Sequence, residues 1–180
     1  AARLAARLSM QDKAVALYAW PSEGKKLFYG RDSGQVADPT VTLGLADVVA
    51  RLVSEFGAGV VNVVAHSLGG QFLINALAMT AAGQKLKNGD LRHVVFASPD
   101  LPERALENND DLIAPLSQTL TVYASRNDRA AWFSEILNQM QRALTKVKPA
   151  KENVLFDTID TTAVSSGWTG HDDYVQRGIH

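Results

Sequence analysis

The run Val60-Val61-Asn62-Val63-Val64-Ala65-His66-Ser67-Leu68-Gly69-Gly70 constrains this chain most. Its apolar, β-branched first half reads as a buried strand, and it stops abruptly at a serine flanked by small residues and followed by a helical pattern. A serine at the tip of a sharp strand-to-helix turn is pushed out of the sheet. Its Oγ is then exposed, and the next backbone N–H, that of Leu68, can face a developing oxyanion. Ala65 stands where the G-x-S-x-G pattern has its first glycine, and the close approach of strand end and helix start predicts that Ala65 and Gly69 must both be small. The plainer reading makes Ser67 the N-cap of a helix beginning near Leu68.

A serine hydroxyl becomes a useful nucleophile only when an imidazole takes its proton and a carboxylate fixes that imidazole's tautomer. The chain supplies both in the order serine, acid, histidine. Leu120–Ala124 reads as a strand, and the polar turn after it carries Asp128. Val154–Ile159 reads as a last strand, and the loop after it leads through Gly170 to His171. The intervals between Ser67, Asp128 and His171 each leave room for at least one helix and one strand.

Elsewhere apolar runs alternate with amphipathic stretches, which predicts an α/β fold: a mostly parallel twisted sheet with helices on both faces. The strands are read at Ala14–Ala19, Val60–Ala65, Leu91–Ala97, Leu120–Ala124 and Val154–Ile159. The helices are read at Thr42–Phe56, Gly69–Ala81, Asn109–Ser117 and Arg129–Leu144. In the first helix Leu45, Val48, Val49, Leu52, Val53 and Phe56 recur at intervals of three and four, which gives one core-facing side. At 180 residues and 46% hydrophobic, the chain fits a single domain over 1–180. A net charge of −1, with basic residues scattered, offers no electrostatic reason to expect nucleic acid as a partner. No apolar run has the length of a membrane span. The absence of cysteine is compatible with the cytoplasm or with export, and excludes disulfides and thiolate metal sites.

Several short motifs stand together in order: Trp20-Pro21-Ser22 with Tyr29 and Asp32, Ala65-His66-Ser67-Leu68-Gly69, Ala97-Ser98-Pro99-Asp100, Tyr123-Ala124-Ser125 with Asp128-Arg129-Ala130, and Gly170-His171. In these the chain resembles the esterase/lipase-like α/β-hydrolases, mostly bacterial, grouped as a domain family of unknown function. The resemblance runs over nearly the whole chain. It implies Ser67 as nucleophile, Asp128 as acid and His171 as base. It also implies a strand ending in His-Gly, donor of the second oxyanion N–H, ahead of the helix that residues 1–8 resemble. That strand would lie between Ala14–Ala19 and Val60–Ala65, and no segment upstream of residue 1 supplies it. The expectation is therefore an α/β-hydrolase-like domain truncated at the N-terminus, one completed by a strand from another chain or segment, or a differently arranged sheet.

The remaining candidates carry plainer alternatives. Asp100 also follows a strand and competes with Asp128 for the role of acid, or caps its loop. His66 points away from Ser67 as a structural histidine, His93 begins a strand at the surface, and His180 is terminal. Trp20 shapes an acyl pocket or packs on a neighbouring strand. Asp172 and Asp173 flank His171. Tyr29, Trp132, Phe133 and Trp168 are candidate pocket residues or core filler. The leading expectation is a serine hydrolase of carboxylic esters or related small acyl substrates, which needs no metal or organic cofactor. The alternative is a non-catalytic α/β-hydrolase-like module for binding or assembly. A nucleotide-binding Rossmann domain fits less well, because Ser67-Leu68-Gly69-Gly70 lacks the G-x-G-x-x-G spacing. Oligomeric state is left open by the sequence.

Overall fold

The computed structural model describes residues 13–20, 36, 38–101, 105, 108–125 and 156–164. Helix α1 spans Pro39–Phe56. Its start is fixed locally: Asp38 is the N-cap and accepts a hydrogen bond from the Thr40 N–H at 2.8 Å, while Pro39 occupies the first turn, where a missing N–H costs nothing. Gly57, at φ +96°, ends the helix, and its N–H donates to the Val53 carbonyl. A short turn leads into strand β1, Val61–Ser67, and helix α2, Gly69–Ala82, follows immediately. Strand β2 covers Leu91–Pro99. A one-turn helix α3, Asp110–Ile113, and a 3-10 turn, Ala114–Leu116, precede strand β3, Ser117–Ala124, and strand β4 is Asp157–Asp160.

The four strands form one sheet in the order β1-β2-β3-β4, with every neighbouring pair parallel. Their carboxyl ends therefore share one edge. Register places Val63, Val94 and Leu120 in one row and Ala65, Phe96 and Val122 in the next. This face joins the buried residues of α1 and α2, among them Val49, Val53, Phe72, Leu73 and Leu77, in a single core cluster. Phe72, Phe96, Leu73, Ile74, Leu77 and Leu91 are essentially inaccessible to water. Each such side chain contributes roughly 1.5–3 kcal/mol by leaving water. On the opposite face Asn62 and Thr119 are exposed, Val64 is 48% exposed, and His93, Val95, Thr121 and Tyr123 are half-buried. On the surface, Lys85 Nζ meets Asp47 Oδ1 at 2.6 Å, joining the turn after α2 to α1. The Lys85 hydrogen bond, and then its charge, hold the Asp47 carboxyl below the usual carboxylate range.

The parallel α/β class, the placement of β1 and both long helices match expectation, with bounds moved by a few residues. Burial is lower than read: β1 stands at the end of the described sheet with Val60 and Val64 exposed, and on α1 Val48 and Phe56 are exposed while Leu45, Val49 and Val53 face the core. Two elements differ. Ala14–Ala19, read as a strand, is not one: 13–20 has no sheet ladder, and Leu17 is 73% exposed. An apolar run does not make a strand without a neighbour to bond. The segment is held by side chains instead, with the Tyr18 hydroxyl donating to the Val41 carbonyl and Trp20 packed on Phe72. Asn109–Ser117, read as a helix, forms only one α turn, because Pro115 cannot continue the α-helical hydrogen bonding; the 3-10 turn then gives way to β3. The Val154–Ile159 strand shifts to Asp157–Asp160, and 154–155 lie outside the described residues. The Arg129–Leu144 helix and the helix over 1–8 lie outside them as well.

The steric demand at the start of α2 falls on Gly70. A Cβ built there lies 2.8 Å from Pro99 Cβ, 3.5 Å from Leu101 Cγ and 3.6 Å from Phe96 Cδ1. At Gly69, where the small residue was expected to be required, nothing among the described residues comes within 4 Å of such an atom. Gly70→Ala is therefore expected to lower stability by about 1–3 kcal/mol through overpacking. Gly69→Ala is expected to be neutral, or to stabilise by up to about 1 kcal/mol through helix propensity. Denaturant melts of the two variants check this, and equal effects would refute the assignment.

Candidate active site

Ser67 is the last residue of β1, and its backbone is left-handed, at φ +53°. Serine rarely occupies this region, because Cβ crowds the carbonyl at a cost of roughly 1–2 kcal/mol. Leu68 then returns to α-helical angles, at φ −58° and ψ −25°. The chain thus reverses from strand to helix within one strained residue, on the carboxyl edge of a parallel sheet, where ligand sites of α/β sheets lie.

The helix-cap reading of Ser67 does not hold. The N-cap of α2 is Leu68, and no side-chain cap bond is made there. Leucine offers no acceptor, so the first N–H groups of α2 are not consumed by a cap, and the positive end of the helix dipole stays at the turn. Ser67 and Gly69 are half-buried, while Leu68 and Gly70 are buried.

The neighbouring strand end is distorted to match. Between His66–Ala97 and Ser67–Pro99 the register slips by one residue, so Ser98 is the extra residue of a bulge on β2. Ser98 is also left-handed, at φ +42°, and only 7% exposed. A following proline normally holds a residue in extended backbone, so this conformation is strained as well. Pro99 has no N–H to give to β1, and the first donor beyond it is Asp100, whose N–H reaches the Ser67 carbonyl at 2.9 Å. The Gln71 side chain, one turn into α2, donates from Nε2 to the Asp100 carbonyl at 2.6 Å. The sequence offers Asp100 as a rival acid and does not single out Gln71. The signal available in the sequence was Ser98-Pro99, since a proline inside an inner strand implies a bulge or a strand end.

At the far ends of the other strands, Thr161 donates both its N–H, at 2.8 Å, and its hydroxyl, at 3.0 Å, to the Ala124 carbonyl, tying the end of β4 to the end of β3. Asp100, Ser125 and Thr161 are all buried on this edge. Asp128 and His171, the expected acid and base, lie outside the described residues, as do Asp172, Asp173, His180, Tyr29, Trp132, Phe133 and Trp168. Trp20, a pocket candidate, packs on Phe72 of α2 with ring centroids 4.6 Å apart. His66 is half-buried, and His93 Nδ1 lies 2.6 Å from Thr119 Oγ1. Among the described residues, no group of three or more His, Asp or Glu side chains is placed to hold a metal ion. No described helix is long and apolar enough to cross a membrane.

A parallel sheet with packed helices and this serine-tipped edge has the arrangement of an α/β-hydrolase-like fold. The model of the alpha/beta hydrolase family of unknown function, DUF900, matches residues 1–177, and the chain belongs to that family. No curated protein and no solved structure matches the chain.

The left-handed backbone at Ser67 has a measurable consequence. In a strand or helix, alanine is normally preferred to glycine, but at φ +53° the order reverses. Ser67→Gly is expected to be more stable than Ser67→Ala by about 1 kcal/mol. Paired urea melts test this, and a more stable Ser67→Ala would remove the strain assignment.

Proposed function

We propose that the chain is a serine hydrolase acting on carboxylic esters or related acyl substrates, with Ser67 as nucleophile, His171 as general base and acid, and Asp128 orienting the imidazole. The observation that carries this reading is Ser67 itself: a strained, left-handed serine between a parallel strand and an uncapped helix start. Strained serines of this kind cluster at functional sites, and G-x-S-x-G-type turns serve acyl transfer. Family membership supports a hydrolase-like fold. Chain order supports the partners. Asp128 follows the end of β3 and His171 follows the end of β4, and both strands run parallel to β1, so each strand ends on the edge that carries Ser67.

The mechanism follows from these roles. Ser67 Oγ attacks the acyl carbon as His171 takes the hydroxyl proton, and the carbonyl oxygen becomes an oxyanion. The Leu68 N–H donates to that oxygen, and the start of α2 favours the negative charge. His171 returns the proton to the leaving alcohol, whose bond to the acyl carbon breaks. Water, deprotonated by the same imidazole, then attacks the acyl-enzyme and releases the acid with Ser67 restored.

A fluorophosphonate probe is expected to label the chain at Ser67, and labelling should vanish in Ser67→Ala. His171→Ala should lower ester turnover by on the order of 10⁴-fold or more, with a smaller loss for Asp128→Asn. Labelling is read by intact mass and by peptide mapping. A folded wild-type chain that takes no probe would assign the fold to binding or assembly instead.

A further inference from the structure

The strained ends of β1 and β2 are coupled through a buried set of main-chain bonds that the serine chemistry does not by itself require. The Ser67 carbonyl and the Leu68 N–H belong to one peptide unit, and the described chain contains no cis peptide bond. In a trans planar peptide these two groups point in opposite directions. The Asp100 N–H holds the Ser67 carbonyl toward β2 at 2.9 Å. The Leu68 N–H is thereby aimed to the other side of β1. A hydrogen bond accepted at the carbonyl also polarises the peptide and strengthens its N–H as a donor.

Gln71 is one of the groups that hold Asp100. Its Nε2 donates to the Asp100 carbonyl at 2.6 Å, and its own backbone N–H bonds the Leu68 carbonyl at 3.1 Å. Asp100 is 3% exposed and Leu101 fully buried, so water competes little for these groups. Gly70 lets the bulge approach this closely, with Pro99 against its Cα. The Ser98 bulge supplies the extra residue that brings Asp100, rather than Pro99, opposite the Ser67 carbonyl.

We propose that Gln71 is a positioning residue for acyl transfer: acting through the Asp100 main chain, it fixes the Ser67–Leu68 peptide so that the Leu68 N–H meets the oxyanion. This rests on the hydrolase reading above. Gln71 touches no reacting atom, and its effect belongs to the transition state. Substrate or probe affinity should therefore change little, while the bond-forming step slows.

The test uses the full chain in four forms: wild type, Gln71→Met (similar length, no donor), Gln71→Ala (a second donor-less variant that favours helix) and Gln71→Lys (an N–H donor retained). Fluorophosphonate labelling is resolved into probe affinity and maximal rate, and amide hydrogen exchange is followed at Asp100. The expected result is a maximal rate about tenfold lower in Gln71→Met and Gln71→Ala at unchanged probe affinity, faster exchange at the Asp100 amide, and most of the rate regained in Gln71→Lys. Either folded donor-less variant suffices. A labelled wild type with an equally fast Gln71→Met or Gln71→Ala overturns this inference alone, as does unchanged exchange at Asp100. A wild type that takes no probe overturns the hydrolase reading and this inference with it.

Discussion

One hydrogen bond, from the Asp100 N–H to the Ser67 carbonyl, decides how the carboxyl edge of this sheet is built. Parallel strands hold their ladders with evenly spaced bonds, and β1 and β2 keep a regular register from Asn62–His93 to His66–Ala97. Beyond that point the regular ladder cannot continue, because Pro99 has no N–H to donate. The bulge at Ser98 moves the next donor one position along, and the bond it makes closes the strand pair over the serine turn. The start of α2, the aim of the Leu68 N–H and the narrow space above Gly70 follow from that closure.

Holding the edge in this form is costly. Ser67 and Ser98, on adjacent strands, both adopt left-handed backbone that their Cβ atoms disfavour. Residues of this kind persist only where the surroundings over-determine them, at roughly 1–3 kcal/mol each. The surroundings here are among the most buried of the described residues: Phe72, Leu73, Ile74 and Leu77 on α2, with Val94 and Phe96 on β2 beneath them. Burial of a few such side chains offsets the strain of two residues. The strain is concentrated at the ends of β1 and β2 that flank the serine turn, and the regular parts of β1, β2 and β3 show none of it.

Much of this was legible in the sequence where local pattern and tertiary context agree. The existence of β1, α1 and α2 follows from rules that need only near neighbours, whereas the exposure of Val64 on β1 and of Val48 and Phe56 on α1 depends on which elements cover them. Ala14–Ala19 has the apolar run of a strand, yet a strand also requires a bonded neighbour, and an apolar run carries no information about that. Asn109–Ser117 opens on Asn109, Asp110 and Asp111, which suit a helix start, but Pro115 stops the helix after one turn. At the site, Ser67 was readable from its flanks, whereas the requirement for a small residue at the start of α2 was read at position 69 and lies at 70. The reason is that the obstructing atoms belong to Pro99, Leu101 and Phe96 of another strand. Gln71 was not readable at all, since its partner is a main-chain carbonyl 29 residues away whose position depends on the bulge.

The identity of the residue after the serine carries a last consequence. Had position 68 been aspartate, serine or asparagine, its side chain would have capped α2 by accepting from the N–H groups of the first turn, and would have neutralised the positive end of the dipole. Leu68 caps nothing and is buried at 7% exposure, so its side chain anchors the turn in the core while its peptide remains at the edge. Helix stability is given up, at about 1 kcal/mol for a missing cap, and no side-chain cap offsets the positive end of the dipole beside Ser67. Negative charge is therefore favoured next to this serine, which is the charge that the acyl-transfer reading proposed above would place there.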